Sequence, residues 1–304
     1  MALPLLRAAT RASALARRQT DHVARLLAPV ARVEPVVVTT TGDRHADVPL
    51  HSIGGQGVFV KEVQQALLDG RADIAVHSAK DLPASRPTAG LTIGAVPARA
   101  DPRDALVGCR LDDIPPGGRV ATGSVRRRAQ LAWLRPDLTF AELRGNIGTR
   151  LERAREHAAV VVAAAALERL GCLDRAAEVL PVGVVVPQVG QGALAVECRT
   201  DADGVRELLA TIDHGPSRRA VEAERALLAA LGGGCDLPVG ALATVDGAAV
   251  EIVAVLASLD GHACLRAGAR GTDPVAVGRE AARRLLVDAG GASLVAGLGA
   301  QGAW

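Results

Sequence analysis

A rhythm restricts this sequence more than any single residue does. Short apolar runs that read as strands alternate with amphipathic stretches that read as helices. Residues 5–10 and 34–40 predict strands flanking a helix over 13–27, with Ser13 as its N-cap. A glycine-rich loop, Gly54-Gly55-Gln56-Gly57, leads into a predicted helix over 58–68, and 73–77 and 91–96 read as short buried strands. After a predicted turn at Asp101-Pro102-Arg103-Asp104 the rhythm restarts: strand 119–122, helix 124–134, strand 138–142, helix 148–156 and strand 159–163. No sequence repeat relates the two stretches, and a helix over 203–210 follows. Such alternation predicts parallel or mixed sheets covered by helices.

The last third changes style. A predicted helix over 216–231 ends in Gly232-Gly233-Gly234, and three apolar stretches follow, punctuated by the hairpin signals Asp246-Gly247 and Asp260-Gly261. A final helix opens with Asp273 as N-cap and Pro274 as first residue, and stops near Gly290. Helix, three antiparallel strands and helix make a small α+β portion.

Composition narrows the function. Hydrophobic residues make up 49% of the 304 and aromatics 1%, so the core must be built from Ala, Val and Leu. Four aromatics (Phe59, Trp133, Phe140, Trp304) are too few for the stacking platforms of a single-strand nucleic-acid binder. The net charge of +2 argues against a general polyanion surface, so any anion must be met by a local pocket. Lys61 and Lys80 are the only lysines among 35 basic residues; codon bias explains that ratio but not where individual arginines sit. The five cysteines, Cys109, Cys172, Cys198, Cys235 and Cys264, are too far apart for CxxC or zinc-ligand spacing, so no metal is expected and a reducing compartment is. No apolar run reaches membrane-spanning length. The Ala/Arg-rich start superficially resembles a transit peptide, but it already holds a strand-to-helix junction. A cytoplasmic monomer without nucleic-acid or membrane partners is expected.

Three segments carry chemistry. Ser124-Val125-Arg126-Arg127-Arg128 puts cations in the first turn of a helix, against its dipole, where a bound carboxylate or phosphate would resolve the conflict. Arg11 stands just before another helix start, and Arg144 and Arg150 flank a third. Three Arg-flanked helix starts after strands suggest a ligand with several carboxylates, met at the carboxyl edges of open sheets. In the second segment a buried strand delivers Lys80 and Asp81 to a loop ended by Pro83, either as a surface ion pair or as a carboxylate awaiting a cationic or N–H-bearing ligand. In the third, Gly232-Gly233-Gly234 clears space before Cys235, so a bulky group can approach its sulfur. A buried structural thiol is the ordinary alternative and fits the other four cysteines.

Taken in order, these segments resemble the porphobilinogen deaminase family along essentially the whole chain. The resemblance runs through Ala9-Thr10-Arg11-Ala12-Ser13, the Gly54–Glu62 stretch, Arg71 to Asp81 and Asp101-Pro102-Arg103-Asp104-Ala105. It continues through Leu143 to Arg150, Val189-Gly190-Gln191-Gly192-Ala193 and Gly233-Gly234-Cys235. It implies an α/β fold of two domains like those of type II periplasmic binding proteins plus a small α+β C-terminal domain. The implied domains are 1–97 with 192–212, then 98–191, then 213–304. It implies a hydroxymethylbilane synthase that joins four porphobilinogen molecules on a dipyrromethane cofactor bound through a thioether to Cys235. Asp81, beside Lys80, would bond pyrrole N–H groups and stabilise the azafulvene cation left as ammonia departs. Arg11, Ser13, Gln19, Lys80, Ser124, Arg126, Arg127, Arg144, Arg150 and Arg169 would hold acetate and propionate groups, and Phe59 would cover the cleft.

Two positions depart from the family pattern. Gln56 stands where the family commonly has Lys, and Gly123 where it commonly has Ser; each removes an anion contact. A non-catalytic anion-binding module and a nucleic-acid binder are the rival classes. Gly-flanked Cys235 speaks against the first, and near-neutral charge with few aromatics against the second.

Overall fold

The computed structural model describes residues 2–40, 60–84, 88–232 and 237–300, the last four by backbone alone. Its contacts divide the chain into two units, Met1–Ala100 with Ala193–Arg218, and Asp101–Gly192 with Arg219–Trp304.

The first unit is built on a five-stranded sheet, β1 (Leu5–Arg11), β2 (Arg32–Val38), β3 (Ile74–Ser78), β4 (Leu91–Ala95) and β10 (Leu194–Arg199), in the order β2-β1-β3-β10-β4. β1 runs parallel to β2 and β3, whereas β10 is antiparallel to both of its neighbours. Successive strand residues face opposite sides of a sheet, so apolar residues in unbroken runs require cover on both faces. Helix α1 (Ala14–Leu27) supplies one cover, packing Val23 and Leu27 against Leu6, Ala8, Ile74 and Val76. Helix α2 (Lys61–Leu68) supplies the other through Val63, Ala66 and Leu67 against Ala9 and Ala75. Ser13 caps α1 as its sequence position predicts, its Oγ accepting from the Ala16 N–H at 3.2 Å.

The second unit holds two sheets. In the first, β5 (Asp104–Gly108), β6 (Arg119–Ala121), β7 (Thr139–Ala141), β8 (Ala159–Ala163) and β9 (Glu178–Val179) follow the order β7-β6-β8-β5-β9. β6 is parallel to β7 and β8, and β5 is antiparallel to β8 and β9. Its two faces feed separate cores, Val160 and Val162 on one and Val161 with Leu131 of helix α3 (Val125–Leu134) on the other. The predicted turn 101–104 is one residue too long. Asp101 accepts from the Arg103 backbone and guanidinium, while Asp104 already pairs with Ala163 inside the sheet. Helices α4 (Ile147–Glu152) and α5 (Ala164–Arg169) complete this layer, α4 ending in a single 3₁₀ turn rather than running on to 156.

Helix α6 (Asp203–Ala210) belongs to the first unit; helix α7 (Gly215–Ala230) leads into the remaining sheet, an antiparallel meander of β11 (Val239–Asp246), β12 (Ala249–Ala257) and β13 (Cys264–Gly271). Ala241, Ile252, Ala254 and Leu256 pack beneath α7 and helix α8 (Pro274–Arg283). The helices cross closely enough that a Cβ at Gly278 would lie 2.1 Å from the Ala223 carbonyl, so only glycine fits. α8 passes into a π turn over 284–288, and helix α9 (Ala292–Ala300) follows where no helix is predicted.

Candidate active site

In the first unit, the chain leaves β1 at Arg11, caps α1 with Ser13 and leaves β3 into a single 3₁₀ turn, Ala79–Asp81. Parallel strands β1 and β3 thus deliver these residues to one edge, where Arg11, Ser13, Gln19, His77, Ser78 and Asp81 line one pocket of about 450 Å³ including its mouth. Gln19 is buried on α1 and donates from Nε2 to Ser78 Oγ at 2.8 Å, which fixes both side chains at the pocket wall. The turn carrying Lys80 and Asp81 is tied to β10 by a bond from the Ala79 N–H to the Ala193 carbonyl, 3.0 Å long. A cation, two hydroxyls, an amide and a carboxylate therefore converge on a small concave space, a donor set suited to a carboxylated ligand that also carries N–H groups.

In the second unit the arginines at the start of α3 do not share one role. Ser124 caps the helix, accepting from the Arg127 N–H at 3.4 Å. Arg127 is buried and committed: its Nη2 lies 2.7 Å from Asp104 Oδ1, its Nε donates to the same atom at 2.9 Å, and its Nη1 donates to the Val161 carbonyl at 3.0 Å. Gln191 closes this ring by donating to Asp104 Oδ1 and the Pro102 carbonyl, both at 2.8 Å. Arg126 is 2% exposed; its Nη1 lies 2.8 Å from Asp104 Oδ2 and donates to the Val186 carbonyl at 2.8 Å. Its Nε and Nη2 are buried without a hydrogen-bond partner among the described residues. A buried guanidinium with two unsatisfied nitrogens is costly unless something accepts from them.

Asp104 is the hub that the sequence did not reveal. Burial alone would raise its carboxyl pKa, but the charges of Arg126 and Arg127, with hydrogen bonds from Arg126 and Gln191, hold it well below the usual carboxylate range. Burial pushes Arg126 down, Asp104 opposes that and Arg127 adds to it. The remaining candidate arginines of this unit each hold a different partner. Arg144 lies 3.5 Å from Glu142, Arg150 donates from Nε to the Gly145 carbonyl at 2.8 Å, and Arg169 donates from Nη2 to the Gly192 carbonyl at 2.7 Å. Burial lowers the Arg169 pKa, with Glu168 opposing. Gly123 is packed so that a Cβ would lie 2.8 Å from the Leu143 carbonyl, which gives a local reason for the missing Ser. Cys235, Phe59 and Gln56 lie outside the described residues. The other four cysteines are free thiols, and burial raises the pKa of Cys172, Cys198 and Cys264.

Residues 6–207 match the model of the porphobilinogen deaminase dipyrromethane cofactor binding domain, and 218–287 match the porphobilinogen deaminase C-terminal domain. The chain belongs to the porphobilinogen deaminase family. It is 50% identical over 297 residues to the porphobilinogen deaminase of Acidothermus cellulolyticus, covering 94% of this chain and 89% of that one. It is 47% identical to that of Roseiflexus castenholzii, covering 95% and 97%. Among solved structures it is similar to the VFT2 domain of Bordetella pertussis BvgS, at 18% identity and a TM-score of 0.41 over 73% of this chain and 92% of that one. As a family member the chain is a transferase of tetrapyrrole biosynthesis with a dipyrromethane cofactor. The residues present fit that group: its carboxylates match the unsatisfied Nε and Nη2 of Arg126. Among the described residues no helix is long and apolar enough to cross a membrane.

Proposed function

We propose that the chain is a hydroxymethylbilane synthase whose reaction is centred on Asp81. The reaction joins four porphobilinogen molecules head to tail into linear hydroxymethylbilane with loss of ammonia. The observation that carries this assignment is the pocket in which Asp81 faces the same space as Arg11, Ser13 and Gln19. Asp81 accepts the pyrrole N–H and faces the positive charge that develops on the substrate methylene as its amine departs. Arg11, Ser13, Gln19 and Lys80 hold the acetate and propionate groups, and in the second unit Ser124, Arg126, Arg144, Arg150 and Arg169 do so. Arg127 serves this task by holding Asp104 and the start of α3. When bound, the dipyrromethane supplies the primer for chain growth; Cys235 is its attachment point and Phe59 a cover for the bound pyrroles.

We place the enzyme in the cytoplasm, in keeping with its five scattered cysteines, and take it to act as a monomer. We divide it into domains 1–97 with 192–212, 98–191 and 213–304, a division supported by the separate core of the meander.

A carboxylate about 4 Å from a developing cation, at an effective dielectric near 20, attracts it by roughly 4 kcal/mol. Losing that only in the transition state slows the step about a thousandfold. Asp81→Asn keeps the shape and removes the charge; Asp81→Glu keeps the charge and displaces it. Single-turnover ammonia release from cofactor-loaded protein should rank wild type, then Glu, then Asn. An Asn variant as fast as wild type, or a Glu variant slower than Asn, would overturn the charge-stabilisation role.

A further inference from the structure

The alternation of β3 sorts its side chains between the two faces of the first sheet. Ser78 turns toward α1, where it meets Gln19; Ala75 joins the core beneath α2, and His77, two residues on, shares that face. Glu197 of β10 pairs with Ala75 and so stands beside His77. His77 Nε2 lies 3.1 Å from Glu197 Oε2, with the side chains only 4% and 8% exposed, in an ion-pair contact rather than an aligned hydrogen bond. The carboxylate cannot swing away. Gln64 of α2 donates from Nε2 to its two oxygens at 3.1 and 2.9 Å, and Gln64 Oε1 accepts from Thr88 Oγ1 at 2.8 Å.

This arrangement decides the tautomer. A carboxylate oxygen at 3.1 Å tolerates a hydrogen on Nε2 but repels a lone pair there, so the neutral ring carries its hydrogen on Nε2 and its lone pair on Nδ1. His77 also lines the pocket that holds Asp81 and Arg11. On the reading proposed above, Asp81 in that pocket is taken up by pyrrole N–H groups, and imidazole is the side chain suited to take and return a proton.

We propose that His77 is a further catalytic residue, the base that accepts at Nδ1 the proton released when each new carbon–carbon bond is made, with Glu197 as its positioning residue. The atoms balance. The substrate amine enters as ammonium, and its C–N bond breaks with the electron pair leaving on ammonia. A pyrrole carbon gives an electron pair to the methylene and sheds its hydrogen as a proton. Nδ1 takes that proton and the imidazolium passes it to ammonia, which leaves as ammonium. No oxidant or reductant is needed.

The proposal rests on the Asp81 pocket being the reaction site, and Asp81→Asn tested alongside separates the two failures. If Asp81→Asn is slow and the His77 variants are fast, only the His77 role falls. Nitrogen-15 NMR of histidine-labelled wild-type holoenzyme should place the hydrogen of the neutral His77 ring on Nε2, and Glu197→Gln should give a mixture of tautomers. A wild-type ring with its hydrogen on Nδ1 overturns the proposal without any variant having to fold. His77→Gln should lower kcat about a hundredfold with KM changed less than about twofold. A kcat within about tenfold of wild type overturns it. His77→Gly supplied with a series of substituted imidazoles should recover turnover in proportion to their basicity. Equal rescue by weakly basic pyrazole would show that the ring only fills space, and would also overturn it.

Discussion

Replacing Asp104 by Asn tests whether the arginine cluster is held by charge. The carboxylate is fully buried and faces two guanidinium groups, at 2.8 Å from Arg126 and 2.7 Å from Arg127. Asn keeps the shape, and its carbonyl can still accept from Arg127 Nε and Gln191 Nε2, but both arginines lose their counter-charge. Breaking a buried pair by removing one partner costs about 3–5 kcal/mol, and here one carboxylate serves two cations. The expected loss at pH 7 is therefore about 4 kcal/mol, or a melting midpoint lower by about 10 °C for a unit of this size. Acid changes the comparison in a definite direction. The folded-state pKa of Asp104 lies well below the usual carboxylate range, so its contribution is complete above about pH 4, the ordinary unfolded value. It is lost progressively as pH falls from there toward the folded value, about 1 kcal/mol of it by pH 3. Urea unfolding of both proteins at pH 7 and pH 3 measures this. A difference under about 1 kcal/mol at pH 7, or a gap that widens on acidification, would refute the reasoning.

Arg126→Gln should raise KM for porphobilinogen about tenfold while costing less stability than Asp104→Asn, because it removes a cation whose Nε and Nη2 are unsatisfied among the described residues; an unchanged KM would argue against a substrate contact. Gly123→Ser, although it restores the common family residue, should destabilise by about 1–3 kcal/mol in urea unfolding, since its Cβ meets the Leu143 carbonyl at 2.8 Å. Cys235→Ser should be isolated without a pyrrolic adduct, read as intact mass after denaturation, because a thiolate attacks the cationic methylene carbon far better than a neutral hydroxyl. Wild-type protein with an unmodified Cys235 and full activity would contradict the attachment.

What was legible in the sequence is what local chemistry controls. Ser13 and Asp273 are N-caps as their positions predict, the three strands of the meander fall between the expected turns, and the helix over 203–210 is found at its expected bounds. Long-range pairing was not legible. β10 reads as an apolar run like any other, and nothing local says that it pairs with β3 and β4, more than a hundred residues earlier in the chain. The same limit hid the partners of the site. Asp104 looks like the end of a turn until Arg126, Arg127 and Gln191 close around it. A usable signal for Glu197 did exist: a lone acid in the run Leu194-Ala195-Val196-Glu197-Cys198 cannot be buried without a partner. Arg126 and Arg127, adjacent and chemically alike, could not be told apart without the fold.

The direction of one strand in each sheet explains where the buried acids and the site residues meet. Ligands of open α/β sheets gather at the carboxyl ends of the parallel strands, and the candidate residues follow that rule: Arg11 ends β1, Asp81 follows β3, and Ser124 follows β6. A sheet of parallel strands alone would bring only strand ends to that edge. β5 and β10 run the other way, so in each unit a strand start also arrives there. In the second unit that start is Asp104, which can neutralise the arginines opening α3. In the first, the start of β10 puts Leu194 opposite Ser78, with the Ala193 carbonyl holding the turn that carries Asp81. Three residues along, the same strand places Glu197 behind His77, where its charge selects the tautomer without itself lining the pocket. The reversed strand is thus the means by which each of these two sheets sets a fixed charge or a fixed backbone group beneath the candidate site residues.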